Sequence, residues 1–183
     1  MSESLLINHC SPTLAGVKTG NIFSCDCNCK KELNRQIRHL NRLLVPKGLR
    51  ILPLKVHNGK ALIYVYRPVK LAGDLNDNMA TNLLKQCGYD LKNSNYCVAH
   101  LVKRLEYCSD FPHEIGLFLG YPPEDVDGFI NQKPHNCKYT GIWKVYGDVE
   151  KAKKTFAAYK KCSEIYSRRW QDGYSLEQLA VCV

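Results

Sequence analysis

The chain has 183 residues, 45% hydrophobic and 23% charged, with a formal net charge of +9. That balance excludes a disordered or low-complexity polypeptide, and the length suffices for one core that needs no disulfide or structural metal. The positive charge admits nucleic acid, an anionic membrane or phosphorylated ligands as partners without choosing among them.

The first residues lack the basic segment and long apolar run of a secretion signal, and no run nears the roughly 20 apolar residues of a membrane helix. The expected compartment is therefore the cytoplasm, with no membrane partner. Ten cysteines in a reducing compartment point to free thiols, metal ligands or redox groups rather than to disulfides.

In chain order, residues 4–9 read as a short strand, and Ser11 with Pro12 as the cap and first position of a helix over 12–19. Residues 21–28 read as loop. Residues 30–44 form an amphipathic helix. At about 100° per residue, Leu33, Ile37, Leu40 and Leu44 make one stripe, and Lys31, Arg35, Arg38 and Arg42 a second, nearly opposite. Pro46 and Gly48 stop it.

Residues 49–56 and 60–67 read as a hairpin around Asn58-Gly59. A two-residue turn pairs Val56 with Ala61, Leu54 with Ile63 and Leu52 with Val65, leaving Tyr64 and Tyr66 on the other side. Pro53 cannot donate to a ladder, so that strand is expected to lie at an edge or to bulge. Helices follow over 71–87 and 95–108. Residues 111–129 read as two short helices around Gly120, with Asp110 as the first cap and Pro122-Pro123 opening the second. Loop is expected over 133–140, a strand over 141–146, and a long helix over 149–170 with Ala152, Phe156, Tyr159, Tyr166 and Trp170 on its inner face. A short turn over 175–180 ends the chain.

This order predicts one α+β domain over residues 1–183. A small antiparallel or mixed sheet of about four strands packs with helices, and without the extra central helices the order is the ferredoxin-like βαββαβ.

The blocks LINHCSPTLAGVKTGNIF (6–23), ALIYVYRP (61–68), the run 111–130 and 141–148 resemble an uncharacterised bacterial family, a domain of unknown function found mainly in anaerobic Gram-positive bacteria. The resemblance covers essentially the whole chain. It implies a soluble, cytoplasmic, single-domain protein and carries over no activity, cofactor or site residue. The cluster Cys25-Asp26-Cys27-Asn28-Cys29 stands outside the pattern.

Five constellations can carry chemistry. A helix start at Ser11 would leave Cys10, beside His9, just outside a positive helix terminus, where thiolate is favoured. Lys18, two turns along, would be too far to help. His113 and Glu114 would supply acid–base groups, although adjacent helical residues diverge and Glu114 also suits a helix start for stability alone. Cys25, Cys27 and Cys29 alternate and could offer soft metal ligands, but one intervening residue is tight for tetrahedral zinc. The run 111–129 has helix-turn-helix spacing, yet Glu124, Asp125 and Asp127 on its second helix argue against reading DNA sequence. The stripe Lys31, Arg35, Arg38 and Arg42 could bind an anion.

The leading expectation is a small-molecule site, for an anionic ligand, built from His9-Cys10 and His113-Glu114. The alternatives are a module binding an acidic partner or nucleic acid through the basic stripe, and a cysteine-based metal or redox carrier. No cofactor is implied apart from metal at the cysteines, and the sequence decides neither catalysis nor oligomeric state.

Overall fold

The computed structural model describes residues 2–107, 110–132 and 136–182. The elements are α1 (Glu3–Leu14), β1 (Gly20–Asp26), α2 (Lys30–Leu44), β2 (Arg50–His57), β3 (Lys60–Tyr66), α3 (Pro68–Leu75), α4 (Asn78–Gln86), α5 (Ser94–Tyr107), α6 (Ile115–Phe118), α7 (Pro123–Asn131), β4 (Tyr139–Thr140), β5 (Lys144–Val145), α8 (Val149–Gln171) and α9 (Leu176–Leu179).

The main sheet has the order β1-β3-β2 and is antiparallel throughout. It is the split βαβ unit: β1 and β2, joined through α2, run parallel with β3 inserted between them. The expected fourth strand does not join it. Tyr139–Thr140 and Lys144–Val145 pair only with each other, as a two-residue ribbon.

Alternation along the strands serves both faces of the sheet. Phe23, Cys25, Ile51, Ala61, Ile63 and Val65 face a core closed by α1, α2, α9 and Tyr166 of α8. Leu54, Tyr64 and Tyr66 face a second core closed by α3 to α7. A third, small cluster joins Trp143, Val145 and Ala152 with Tyr121, Phe156 and Tyr159.

Helix α2 buries the predicted stripe Leu33, Ile37, Leu40 and Leu44. The hairpin turns at Asn58 and Gly59, both at positive φ. Val56 pairs with Ala61 as expected, but the register shifts between Pro53 and Lys55, so Ile51, not Leu52, faces Val65. Pro53 is the cause. It lies on an edge strand, and the bulge beside it turns Leu54 into the second core.

Four expectations are corrected. Residues 4–9 are no strand: one helix runs Glu3–Leu14 with Pro12 inside it. Proline there forfeits one hydrogen bond, to the carbonyl of Asn8, which lies in an exposed part of the helix. Residues 20–26 are a strand, not a loop, and bury Phe23 and Cys25. The expected helix 71–87 breaks into α3 and α4 where the Asp77 carboxylate accepts from the N–H groups of Met79 and Ala80. Asp110 caps nothing: α6 begins at Ile115. The expected helix end at Cys108 and part of the expected loop, 133–135, lie outside the described residues.

Candidate functional site

Helix α1 ends in a turn at Gly16, whose φ is 77°. The N–H groups of Val17 and Lys18 both donate to the Pro12 carbonyl. This reversal brings Lys18 back beneath the fold until it is only 4% exposed. The next residues are wedged in place. The Thr19 hydroxyl donates to the Asp74 carboxylate. A Cβ on Gly20 would lie 2.8 Å from the Phe118 carbonyl oxygen, and that oxygen accepts from the buried Tyr64 hydroxyl at 2.5 Å.

Lys18 Nζ lies 5.3 Å from the ring centre of Tyr121 and 5.9 Å from that of Tyr159. Among the described residues it has no hydrogen-bond or ion-pair partner. Two aromatic faces stabilise an ammonium only in part. Burial wins, and the amine's pKa falls to about 8, with the nearby Cys10 opposing the fall. Tyr159 is pushed up to about 12 by its own burial.

Two cavities meet at Tyr121, Asp125 and Trp143. The Tyr121 and Trp143 rings stack at 4.7 Å. The smaller cavity, about 320 Å³, is mainly apolar: Ile115, Val126, Phe129 and Ile142 line it with His113 and Lys144. His113 meets Phe129 edge-on at 4.9 Å, and Lys144 Nζ lies 5.9 Å from the same ring centre. The larger, about 710 Å³, is an open groove between α3, the α6–α7 turn and α8, lined by Asp74, Asp77, Glu124, Asp148, Lys151 and Tyr159 among others.

Asp125 holds the wall together. Its carboxylate accepts from Trp143 Nε1 at 2.7 Å and from the N–H groups of Tyr146 and Gly147 at 2.7 and 2.8 Å. The ribbon is thereby tied to the first turn of α7, and a carboxylate so engaged has little capacity left for a ligand.

The predicted site residues are dispersed. Cys10 is fully buried in the last turns of α1, and burial pushes its thiol far above the ordinary range, against the pull of Lys18. The expected helix N-terminus at Cys10 does not exist, and Lys18, expected to be distant, is its electrostatic neighbour. His9 is exposed and stacks on Phe23 at 5.2 Å. His113 is exposed and faces the smaller cavity, which neither His9 nor Cys10 lines. Glu114 does not line that cavity, but with His113, Cys87 and Arg104 it borders a separate open hollow of about 580 Å³. Glu114 is 3% exposed, ion-paired with Arg104 at 2.7 Å, and accepts from the Tyr89 hydroxyl at 2.9 Å.

The three spaced cysteines do not converge. Cys25 and Cys27 face the first core, whereas Cys29 is exposed at the N-cap of α2. Among the described residues no three His, Cys, Asp or Glu side chains gather as metal ligands would. Lys31, Arg35, Arg38 and Arg42 are all exposed on α2, with Arg35 paired to Glu32 at 2.9 Å. The α6–α7 pair is a packed helical hairpin: Gly116 abuts Val126, whose Cγ2 would lie 2.8 Å from an added Cβ.

Residues 6–180 match the family described as Protein of unknown function (DUF3793). The chain belongs to that family. No curated protein and no solved structure matches it. The domain is thus an α+β member of DUF3793 with ten cysteines, and among its described residues no helix is long and apolar enough to cross a membrane.

Sequence reasoning missed Lys18, Tyr121 and Tyr159 as a group. One signal was available: Lys18 is the only Lys or Arg in the first 29 residues of a chain of net charge +9.

Proposed function

We propose that the protein binds a small molecule with an anionic group on a flat apolar body, in the cavity between α6, α7 and the β4–β5 ribbon. One observation carries the reading: His113 and Lys144 both approach the Phe129 ring in a mainly apolar cavity of about 320 Å³ whose one carboxylate, Asp125, is engaged by Trp143, Tyr146 and Gly147. A mainly apolar pocket with a few convergent polar groups is the usual form of a ligand site. His113 is the one member of the expected catalytic set that faces the cavity, so any proton transfer falls to it. Cys10 and Glu114 take no part, the first sunk in the opposite core and the second held by Arg104 and Tyr89. The cavity walls come from the blocks 111–130 and 141–148 that carry the family resemblance. We place the protein in a reducing cytoplasm, in keeping with free thiols at the described cysteines.

Titration with phenylacetate and indole-3-acetate, and with their neutral amides, tests this reading. The acids are expected to shift the backbone resonances of Gly116, Val126 and Gly141, and Lys144→Met to weaken them about fivefold, close to 1 kcal/mol. Acids that shift none of these resonances overturn the reading, and amides that bind equally well overturn the anionic group.

The exposed stripe Lys31, Arg35, Arg38 and Arg42 supports a second reading, association with an acidic partner or nucleic acid. Such binding must weaken steeply as salt rises, and salt-independent binding would exclude the stripe.

A further inference from the structure

The three-stranded sheet has two free edges, and the sequence treats them differently. A free edge offers unpaired N–H and C=O groups to any extended chain, and proteins that keep an edge single blunt it with proline, a bulge or lysine. Strand β2 carries all three: Pro53, the register shift beside it, and Lys55. Strand β1, GNIFSCD, carries none of them. It keeps an unbroken register with β3 over all seven residues, and its one charge, Asp26, stands at its end.

Two hydrogen bonds fix which backbone groups of β1 point outward. The Cys27 N–H donates to the Gly59 carbonyl at 2.7 Å, and the Arg67 N–H donates to the Thr19 carbonyl at 2.9 Å. Alternation along the antiparallel pair then turns the backbone groups of Asn21, Phe23 and Cys25 toward β3, and those of Gly20, Ile22, Ser24 and Asp26 away from it. Among the described residues, no backbone bond beyond the sheet engages these last four. Ser24 and Asp26 are exposed and Ile22 is half-buried, so this side of the strand opens to solvent. Beside it, His9 of α1 is exposed and stacks on Phe23.

We propose that β1 pairs antiparallel with β1 of a second copy of the chain about a two-fold axis, joining the two three-stranded sheets into one. The strand is complementary to itself. With the axis at Phe23, Ile22 lies opposite Ser24 of the second copy and Gly20 opposite Asp26, so each outward N–H meets an outward carbonyl. A slip of two residues either way leaves Gly20 or Asp26 without a partner, and a slip of one sets outward groups against inward ones. The side chains fit the same register. On the side of α3 to α7, Ile22 stands beside the small Ser24 of the second copy. On the side of α1, the two Phe23 rings form an aromatic cross-strand pair, each stacked on its own His9. Charge selects the same arrangement. Antiparallel pairing keeps the two Asp26 carboxylates roughly 20 Å apart, whereas parallel pairing in register sets them side by side. A strand of another protein would have to reproduce a match that this chain supplies to itself.

Sedimentation equilibrium of the native chain, from low to high micromolar concentration, is expected to show a reversible shift from one chain mass to two. Hydrogen exchange followed by NMR on the same samples reads which surface is used. The N–H groups of Ile22 and Ser24 are expected to exchange at least about tenfold more slowly in the dimer than in the diluted monomer, while those of Phe23 and Cys25, bonded to β3, keep the same protection in both. Ser24→Pro removes an outward donor and no bond to β3. It is expected to raise the dimer dissociation constant at least about a hundredfold, with protection at Phe23 and Cys25 intact. A single chain mass at every concentration overturns the proposal, and protection of Ile22 and Ser24 in that state assigns the edge to another strand. A dimer in which Ile22 and Ser24 exchange as fast as in the monomer also overturns it, because the copies then meet elsewhere. Wild-type protein supplies each of these results, so the outcome does not depend on the variant folding.

Discussion

The molecule buries two cations in opposite ways. Arg67, 2% exposed, follows β3 directly, and four of its five N–H donors are engaged. Nε donates to the Thr13 carbonyl at 2.7 Å, and Nη2 to Leu14 at 2.7 Å and to Val181 at 2.8 Å. Nη1 reaches the Lys47 carbonyl at 3.1 Å. Three of these acceptors are carbonyls at the end of α1 and in the C-terminal tail, and those of Thr13 and Leu14 also accept from the N–H groups of Gly16 and Val181. Lys18, a few residues past that helix end, faces two tyrosine rings and has no acceptor among the described residues. Burial of a charge is structural where each donor is matched. Where the donors are left over, the amine is either a liability or a tool.

The largest effect expected from this contrast is at Arg67. Arg67→Met keeps the volume but removes four hydrogen bonds that tie β3 to three other segments, and should cost about 3–5 kcal/mol in urea unfolding, with faster hydrogen exchange around Leu14 and Val181. A loss under about 1 kcal/mol would mean water replaces the guanidinium, and the contrast would collapse.

Lys18→Met should do the reverse and raise stability at neutral pH, by about 1–3 kcal/mol. The pH dependence follows from the sign of the shift. The folded-state pKa, about 8, lies below the ordinary 10.5, so between these values the unfolded chain binds more protons and stability rises with pH. Cys10 acts oppositely. Its thiol stays protonated in the fold well above 9.0, so the unfolded state gains as pH passes that value. Tyr121 and Tyr159, the other titrating groups against Nζ, are both raised and stay protonated throughout this window. The thiols of Cys25, Cys87, Cys97 and Cys162 are raised as well and oppose the rise, so the Lys18 contribution is read as wild type minus Lys18→Met, a difference that should grow between about pH 8 and 10 at up to about 1 kcal/mol per pH unit. Parallel profiles in wild type and variant would show that Nζ is solvated.

The smallest effect marks the baseline. Arg35 sits on the exposed face of α2 beside Glu32, and Arg35→Ala should leave the unfolding midpoint unchanged within error. A clear loss there would mean that the basic stripe has an unsuspected structural role.

Much of the fold was legible because local pattern and packing agree in α2, the hairpin, α5 and α8. Where they disagree, the sequence misleads. Pro12 reads as a helix start, yet it sits near a helix end. Residues 20–26 are polar enough to pass for loop, although Phe23, Cys25 and Cys27 keep the period of a strand. The break before Asp77 depends on which backbone N–H groups its carboxylate can reach. The site was harder to read. His113 stood out in the sequence as an acid–base candidate, but Cys10, the partner expected for it, does not line the cavity it faces. Lys18 did not stand out, because lysine is ordinarily exposed, and its burial follows from a turn at Gly16 and from Tyr121 and Tyr159, more than a hundred residues away in sequence.

One side chain belongs to both cavities. Tyr121 lines the apolar pocket, lines the acidic groove and lies over Lys18. An occupant that shifts this ring from one side remodels the wall on the other. Thermodynamic linkage then makes the influence mutual: whatever factor the first ligand imposes on the affinity for the second, the second imposes on the first. The stacked pair Tyr121–Trp143 is thus the wall through which a ligand in one chamber would bear on the other.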